Sequence, residues 1–296
     1  MKTFRVAVVQ MKSSESKAEN LSVAIEYIRR AADNKASAIC FPEFLMSYSP
    51  VEQDVKSLAN TAEKVNKGKF ITALRRAARV SNIPVIATVY EKADNVVEQR
   101  VYDTAVMIDS KGKISSVYRK LHLYDALGFK ESAKFIAGDK INKPVRFGSA
   151  RAGIMICYDI RFPEISRILA GNGADVLIVP SAWVHGILKE EHWQTMLKAR
   201  AIENGSFVIA PDQVGNIYTG RSMIIDPFGV VLLDMGIMEG MEIIEIDTSR
   251  VSEVRKSLPL LEHRRTDVYS NNLEIFSKNC NVEKNFSNTQ IGRAHV

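Results

Sequence analysis

The sequence predicts an α/β fold of four layers, αββα, in which two β-sheets stack face to face and helices cover their outer faces. One observation behind this is alternation. Strand-like and helix-like segments succeed one another through much of the chain, and several of the strand-like runs are apolar at every position, as strands buried on both faces are. The other is an internal repeat. Residues 32–42 match residues 170–180 in their helix end, polar turn, apolar strand and terminal proline, and the helix-turn-strand ending in Val85-Ile86-Ala87 resembles the one ending in Val208-Ile209-Ala210. A repeat of this size implies two similar βαβ-rich halves, each with a sheet face that must be covered.

The elements follow in chain order. Residues 4–11 read as a strand, and Leu21, Ile25, Ile28 and Ala32 then fall at i, i+4, i+7 and i+11 on one predicted helix face. Residues 37–41 form the next strand, followed by a helix over 70–80 and a strand over 84–90. Strands 101–109 and 114–118 make a hairpin across the turn Asp109-Ser110-Lys111-Gly112. The second half restarts with the apolar run 151–157, after which Pro163 suits the first turn of a helix. Trp193, Met196, Leu197 and Arg200 share one face of a later helix. No linker divides residues 1–276, which are expected to form a single domain. Residues 277–296 turn to Asn, Lys and Ser without periodicity and read as a loosely ordered tail.

Composition narrows the function classes. At 296 residues, 46% hydrophobic and 25% charged, the chain buries enough surface to need neither disulfides nor a structural metal. The net charge of +6 is spread along the sequence. Its densest basic stretch, Lys64 to Arg79, interleaves with Phe70, Ile71, Leu74 and Ala78 as a solvated helix face does, which argues against a nucleic-acid partner. No apolar run approaches the ~18 residues of a membrane span, and no signal-peptide pattern precedes the first strand. Cys40, Cys157 and Cys280 are unevenly spaced and suit a reducing compartment, so a cytoplasmic location is expected. The histidines have no metal-ligand spacing, and phosphate-loop, nucleophile-elbow and dinucleotide motifs are absent, so neither a metal nor a cofactor is expected.

What remains is a thiol, acids and lysines. Cys157 closes the run Gly153-Ile154-Met155-Ile156 and precedes a helix start, where sites in layered α/β folds collect. The positive helix end and Arg161 would favour its thiolate. Free cysteine is also among the most buried residue types, so position alone leaves a core thiol open. Glu43 follows the apolar strand Ala38-Ile39-Cys40-Phe41-Pro42 as a rim carboxylate, and Lys120 ends the strand over 114–118; each is also compatible with an ordinary ion-pairing role.

Together, Pro42-Glu43-Phe44, Tyr118-Arg119-Lys120-Leu121-His122-Leu123 and the block from Gly153 through Cys157 to Glu164 resemble the three signature blocks of the nitrilase superfamily of carbon–nitrogen hydrolases. The resemblance covers about nine-tenths of the chain, from Val6 to Tyr269. It implies the four-layer sandwich of that superfamily and a Glu-Lys-Cys triad: Cys157 as nucleophile, Glu43 as general base and Lys120 as the cation that stabilises the oxyanion with the backbone N–H after the cysteine. A block like that of ω-amidases, Phe129-Lys130-Glu131-Ser132, implies Glu131 as a second glutamate. The chemistry agrees, because an amide carbon is a poor electrophile that gains from a polarizable thiolate, a proton carrier and positive charge at the developing oxyanion.

The resemblance implies a cofactor-free amidase that releases ammonia from a small linear, carboxylate-bearing amide through a thioester. An N-carbamoyl amino-acid or polyamine amidohydrolase, a nitrilase, and a catalytically silent scaffold of the same fold are the alternatives. Tyr158, Arg161 and Trp183 are the candidate substrate contacts, Arg161 either clamping a carboxylate or pairing with Glu164 or Glu131. Residues 184–191 depart from the family pattern. The partners expected are the substrate and further copies of the chain, as a homodimer or larger homo-oligomer, with no membrane contact.

Overall fold

The computed structural model describes residues 3–94 and 99–269. The elements run β1 (Thr3–Gln10), α1 (Lys17–Asp33), β2 (Ala38–Cys40), α2 (Val55–Thr61), α3 (Lys69–Val80), β3 (Val85–Lys92), β4 (Val101–Ile108) and β5 (Ile114–Arg119). They continue through β6 (Val145–Phe147), β7 (Ala150–Ile154), α4 (Pro163–Gly171), β8 (Val176–Ile178), α5 (Lys189–Asn204), β9 (Phe207–Ala210), β10 (Val214–Gly215), β11 (Tyr218–Thr219), β12 (Met223–Ile225), β13 (Val231–Asp234), β14 (Gly240–Asp247) and α6 (Ser249–Ser257). Among the described residues, those up to Leu258 form one compact unit, to which every element named above belongs, and residues 259–269 fall outside it. The expected boundary at residues 276/277 lies outside the described residues, as does Cys280.

Two six-stranded sheets carry the fold, in the orders β14-β1-β2-β3-β4-β5 and β13-β12-β9-β8-β7-β6. β1, β2 and β3 are parallel, as are β7, β8 and β9. The sequence repeat therefore has a structural meaning, since its copies place β2 and β3 at the same sheet positions as β8 and β9. Strand alternation sorts the core. Phe4, Val6 and Val8 of β1 join Phe147, Val176 and Phe207 in the core between the sheets, while Ala7 and Val9 join Ile28 of α1 and Leu74 of α3 on the outer face. The rings of Phe4 and Phe147 meet edge to face across the sheets, 5.9 Å apart. On the other outer face Trp193 and Leu197 of α5 and Leu169 of α4 cover the second sheet. The four-layer expectation is met.

One helix face differs from expectation. The buried stripe of α1 is Asn20, Ala24, Ile28 and Ala31, and Ile25 is 38% exposed. Asn20 is burial-competent because its side chain donates to the carbonyls of Ser14 and Met46 and accepts from Ser14 N–H, so the helix turns by one position relative to its apolar pattern. The face of α3 follows its pattern, with Phe70, Ile71, Leu74 and Ala78 buried.

Candidate active site

The sheet strands deliver their chemistry at their ends. β2 leads through Phe41 and Pro42 to Glu43, whose N–H donates to Ser181 O and whose carbonyl accepts from Gln213 Nε2 at 2.8 Å. β5 leads to Lys120, tied to its neighbour β4 by donation from Lys120 N–H to Asp103 O. Lys120 O in turn accepts from Gly138 N–H. A Cβ at Gly138 would lie 2.3 Å from Arg119 O, so only glycine permits this close approach beside the lysine. β7 leads to Cys157, which opens a 3-10 turn over Cys157–Arg161.

Cys157 has a backbone φ of +43°, a left-handed conformation unusual for a residue with a side chain. Its N–H donates to Pro180 O, anchoring the strained residue to the end of β8. The next N–H, that of Tyr158, stands at the start of the turn ahead of the turn's own hydrogen bonds. Asp159, fully buried, fastens the turn: it accepts from Ile156 N–H, His122 N–H and the Tyr118 hydroxyl, the last at 2.7 Å, and contacts His122 Nδ1. This carboxylate joins the Cys157 turn to the segment bearing Lys120.

At the centre, Lys120 Nζ lies 2.8 Å from Glu43 Oε1 and 2.8 Å from Glu131 Oε1, with Asp103 Oδ2 farther off at 4.0 Å. Glu131 also accepts from Tyr124 N–H. Glu43, Lys120, Glu131 and Cys157 all line one cavity of about 330 Å³, closed further by Phe44, Tyr124, Phe135 and Tyr218. That is the size of a site for a small molecule. Glu43 is a buried residue, not the rim carboxylate of the sequence reading.

Burial opposes the charge on Lys120, yet the facing Glu131 and Glu43 raise it well above the ordinary lysine range. Burial also raises Glu131, and Lys120 counteracts that rise. The expected thiolate preference of Cys157 is not met. Burial and the nearby Glu43 push the thiol well above its usual range and outweigh Lys120.

The three candidate substrate contacts lie outside the lining of this cavity. Tyr158 packs its ring against Tyr124 at 4.9 Å. Trp183 is buried, with its indole N–H donating to Lys189 O. Arg161 forms neither of the ion pairs considered for it. Its guanidinium sits 4.8 Å from the Trp183 ring and near His192. Sequence reasoning missed Asp103, Asp159 and Lys189. Asp159 had a signal, an acid two residues past the cysteine in an apolar block; Lys189 lies in the 184–191 segment that departs from the family pattern.

Residues 5–256 match the model of the carbon-nitrogen hydrolase family. The chain belongs to that family. The family chain is 34% identical over 247 residues to a deaminated glutathione amidase of Escherichia coli O157:H7, covering 83% of this chain and 92% of the relative. It is 36% identical over 279 residues to a deaminated glutathione amidase of Synechocystis, covering 89% and 99%. A carbon-nitrogen hydrolase structure from Helicobacter pylori superposes with a TM-score of 0.81 at 26% identity, covering 92% of this chain and 98% of that one. The carbon-nitrogen hydrolase sandwich is thus the architecture that sets the four polar side chains in one cavity.

Proposed function

We propose that the protein is a cysteine amidase that hydrolyses a small linear, carboxylate-bearing amide to acid and ammonia through a thioester on Cys157. The convergence of Glu43, Lys120, Glu131 and Cys157 on one cavity carries this reading, and the two amidase relatives support the choice of an amide. Glu43 takes the thiol proton as sulfur attacks the carbonyl carbon, a step suited to a thiol that burial holds above its usual range. Lys120 holds Glu43 and Glu131 with two of its three N–H donors, leaving the third for the oxyanion beside the Tyr158 N–H. The proton on Glu43 passes to the departing ammonia, and Glu43 then draws a proton from the water that cleaves the thioester. Glu131 positions the ammonium.

The carboxylate preference rests on two cations. Arg161 and Lys189 both lie over Trp183, at 4.8 and 4.5 Å, and Lys189 Nζ reaches the Tyr124 hydroxyl on the cavity wall at 3.1 Å. Neither is paired with a carboxylate among the described residues. Ammonia release from a panel of small amides, N-carbamoyl amino acids and nitriles tests the class. Replacing Arg161 and Lys189 together by methionine is expected to raise KM for a carboxylated amide about 10- to 100-fold, while kcat for a neutral amide stays within about threefold. Equal losses on both substrates would contradict the anchor.

Assembly and location are part of the same reading. Phe228, Val230, Ile237 and Met238 are exposed apolar residues that support a homodimer or larger oligomer. Light scattering that returns a monomer mass would contradict it. The free thiols of Cys40 and Cys157 fit a reducing, cytoplasmic setting. Among the described residues no helix is long and apolar enough to cross a membrane.

A further inference from the structure

Behind the catalytic cavity sits a carboxyl group with no hydrogen-bond partner. Asp103, on β4, is 1% exposed, and neither of its side-chain oxygens receives a hydrogen bond. Yet an oxygen of Asp103, one of Glu43 and one of Glu131 all lie within 4.8 Å of one another. The donors nearby do not reach it. Lys120 Nζ gives hydrogen bonds at 2.8 Å to Glu43 and at 2.8 Å to Glu131 and stands 4.0 Å from Asp103. Tyr90, paired with Asp103 in register on β3, directs its hydroxyl to Ser47 O.

Charge counting then decides the state of the group. Three ionised carboxylates around the single ammonium of Lys120 would leave a negative excess in a buried cluster. A buried carboxylate without a donor is costly, whereas a carboxylic acid needs only an acceptor. Glu43 is the acceptor at hand. Burial first and Glu43 second push Asp103 well above the carboxylate range, against the opposing pull of Lys120. The ammonium already occupies the centre of the acidic cluster, so the cluster needs no other cation.

We propose that Asp103 is a neutral carboxylic acid that donates a hydrogen bond to Glu43 and so positions the general base. Asp103 does not reach the cavity and acts only through Glu43. The inference rests on Glu43 being the base, but its first test does not. Infrared difference spectra between the wild-type protein and Asp103→Asn at neutral pH are expected to show the carbonyl stretch of one protonated carboxyl in the wild type only. Absence of that band overturns the proposal whether or not any amide turns over.

The kinetic test uses the two variants against each other. Asparagine keeps an uncharged donor, so Asp103→Asn is expected to hold kcat within about threefold and leave the acid limb of the kcat/KM profile in place. Asp103→Ala removes the donor, and a base that has lost a donor holds its proton more tightly, so the acid limb moves to higher pH by about one unit. An Asp103→Asn profile displaced like that of Asp103→Ala would show that an ionised carboxylate is required and overturn the proposal. If the alanine variant fails to fold, the asparagine profile and the infrared band still decide. A wild type that shows the band but turns over no amide leaves the neutral Asp103 standing and removes only the amidase reading.

Discussion

Cys157→Ala is expected to lower ammonia release by about 10⁴-fold or more while the protein stays folded. The size follows from the reaction assigned to the residue, because without the sulfur no thioester forms and Glu43 can only assist direct attack by water. The fold survives because the side chain is small and the strained backbone is anchored by the bond from Cys157 N–H to Pro180 O, which alanine keeps. The melting temperature is therefore expected within a few degrees of wild type. Cys157→Gly separates the two properties: it is equally inactive, yet at least as stable as the alanine variant, since glycine accepts the φ of +43° without a Cβ penalty. Turnover that survives in either variant would move the nucleophile elsewhere.

Lys120→Ala is expected to damage both rate and stability. Loss of an oxyanion donor costs about 10²–10³ in kcat, and removing one partner from a buried charge cluster costs about 3–5 kcal/mol because the carboxylates are left uncompensated. Both effects have a pH signature. Burial already raises Glu131, and Lys120 is the chief influence lowering it. In the variant its folded pKa therefore rises further above the unfolded value. A carboxyl raised in this way destabilises the fold where it is ionised, and the lost stability returns as pH falls through the folded pKa. The melting temperature of Lys120→Ala is thus expected to rise, relative to wild type at the same pH, as pH is lowered from 8 to 5. An effect on kcat/KM below tenfold would remove Lys120 from the oxyanion role, and a pH-independent stability gap would contradict the charge cluster.

Much of the site was legible because its residues interrupt patterns. Glu43 ends an apolar strand, Lys120 ends a hairpin strand, and Cys157 closes a buried run, so each stands out before any contact is known. The repeat likewise exposed the two equivalent strand pairs. What stayed hidden depends on tertiary partners. Ile25 looked like a core residue of α1, but the carbonyls of Ser14 and Met46 allow Asn20 into the core and turn the helix. The local position of Cys157 argued for a thiolate, whereas its burial and the carboxylate brought in from β2 argue the opposite. Asp103 is one acid in a strand, and its meaning appears only when Glu43 and Glu131 are folded against it. Lys189 lies in a segment without a family pattern, and its place over Trp183 and Tyr124 comes from the packing of α5.

Mass spectrometry of the wild-type enzyme, acid-quenched during turnover of a carboxylate-bearing amide, tests the central claim most directly. The account predicts an adduct equal to the substrate minus ammonia on the peptide containing Cys157, absent from Cys157→Ala, with the acyl group diverted to a hydroxamate when hydroxylamine is present. Steady ammonia release with the adduct on another residue, or with neither adduct nor hydroxamate, would contradict it.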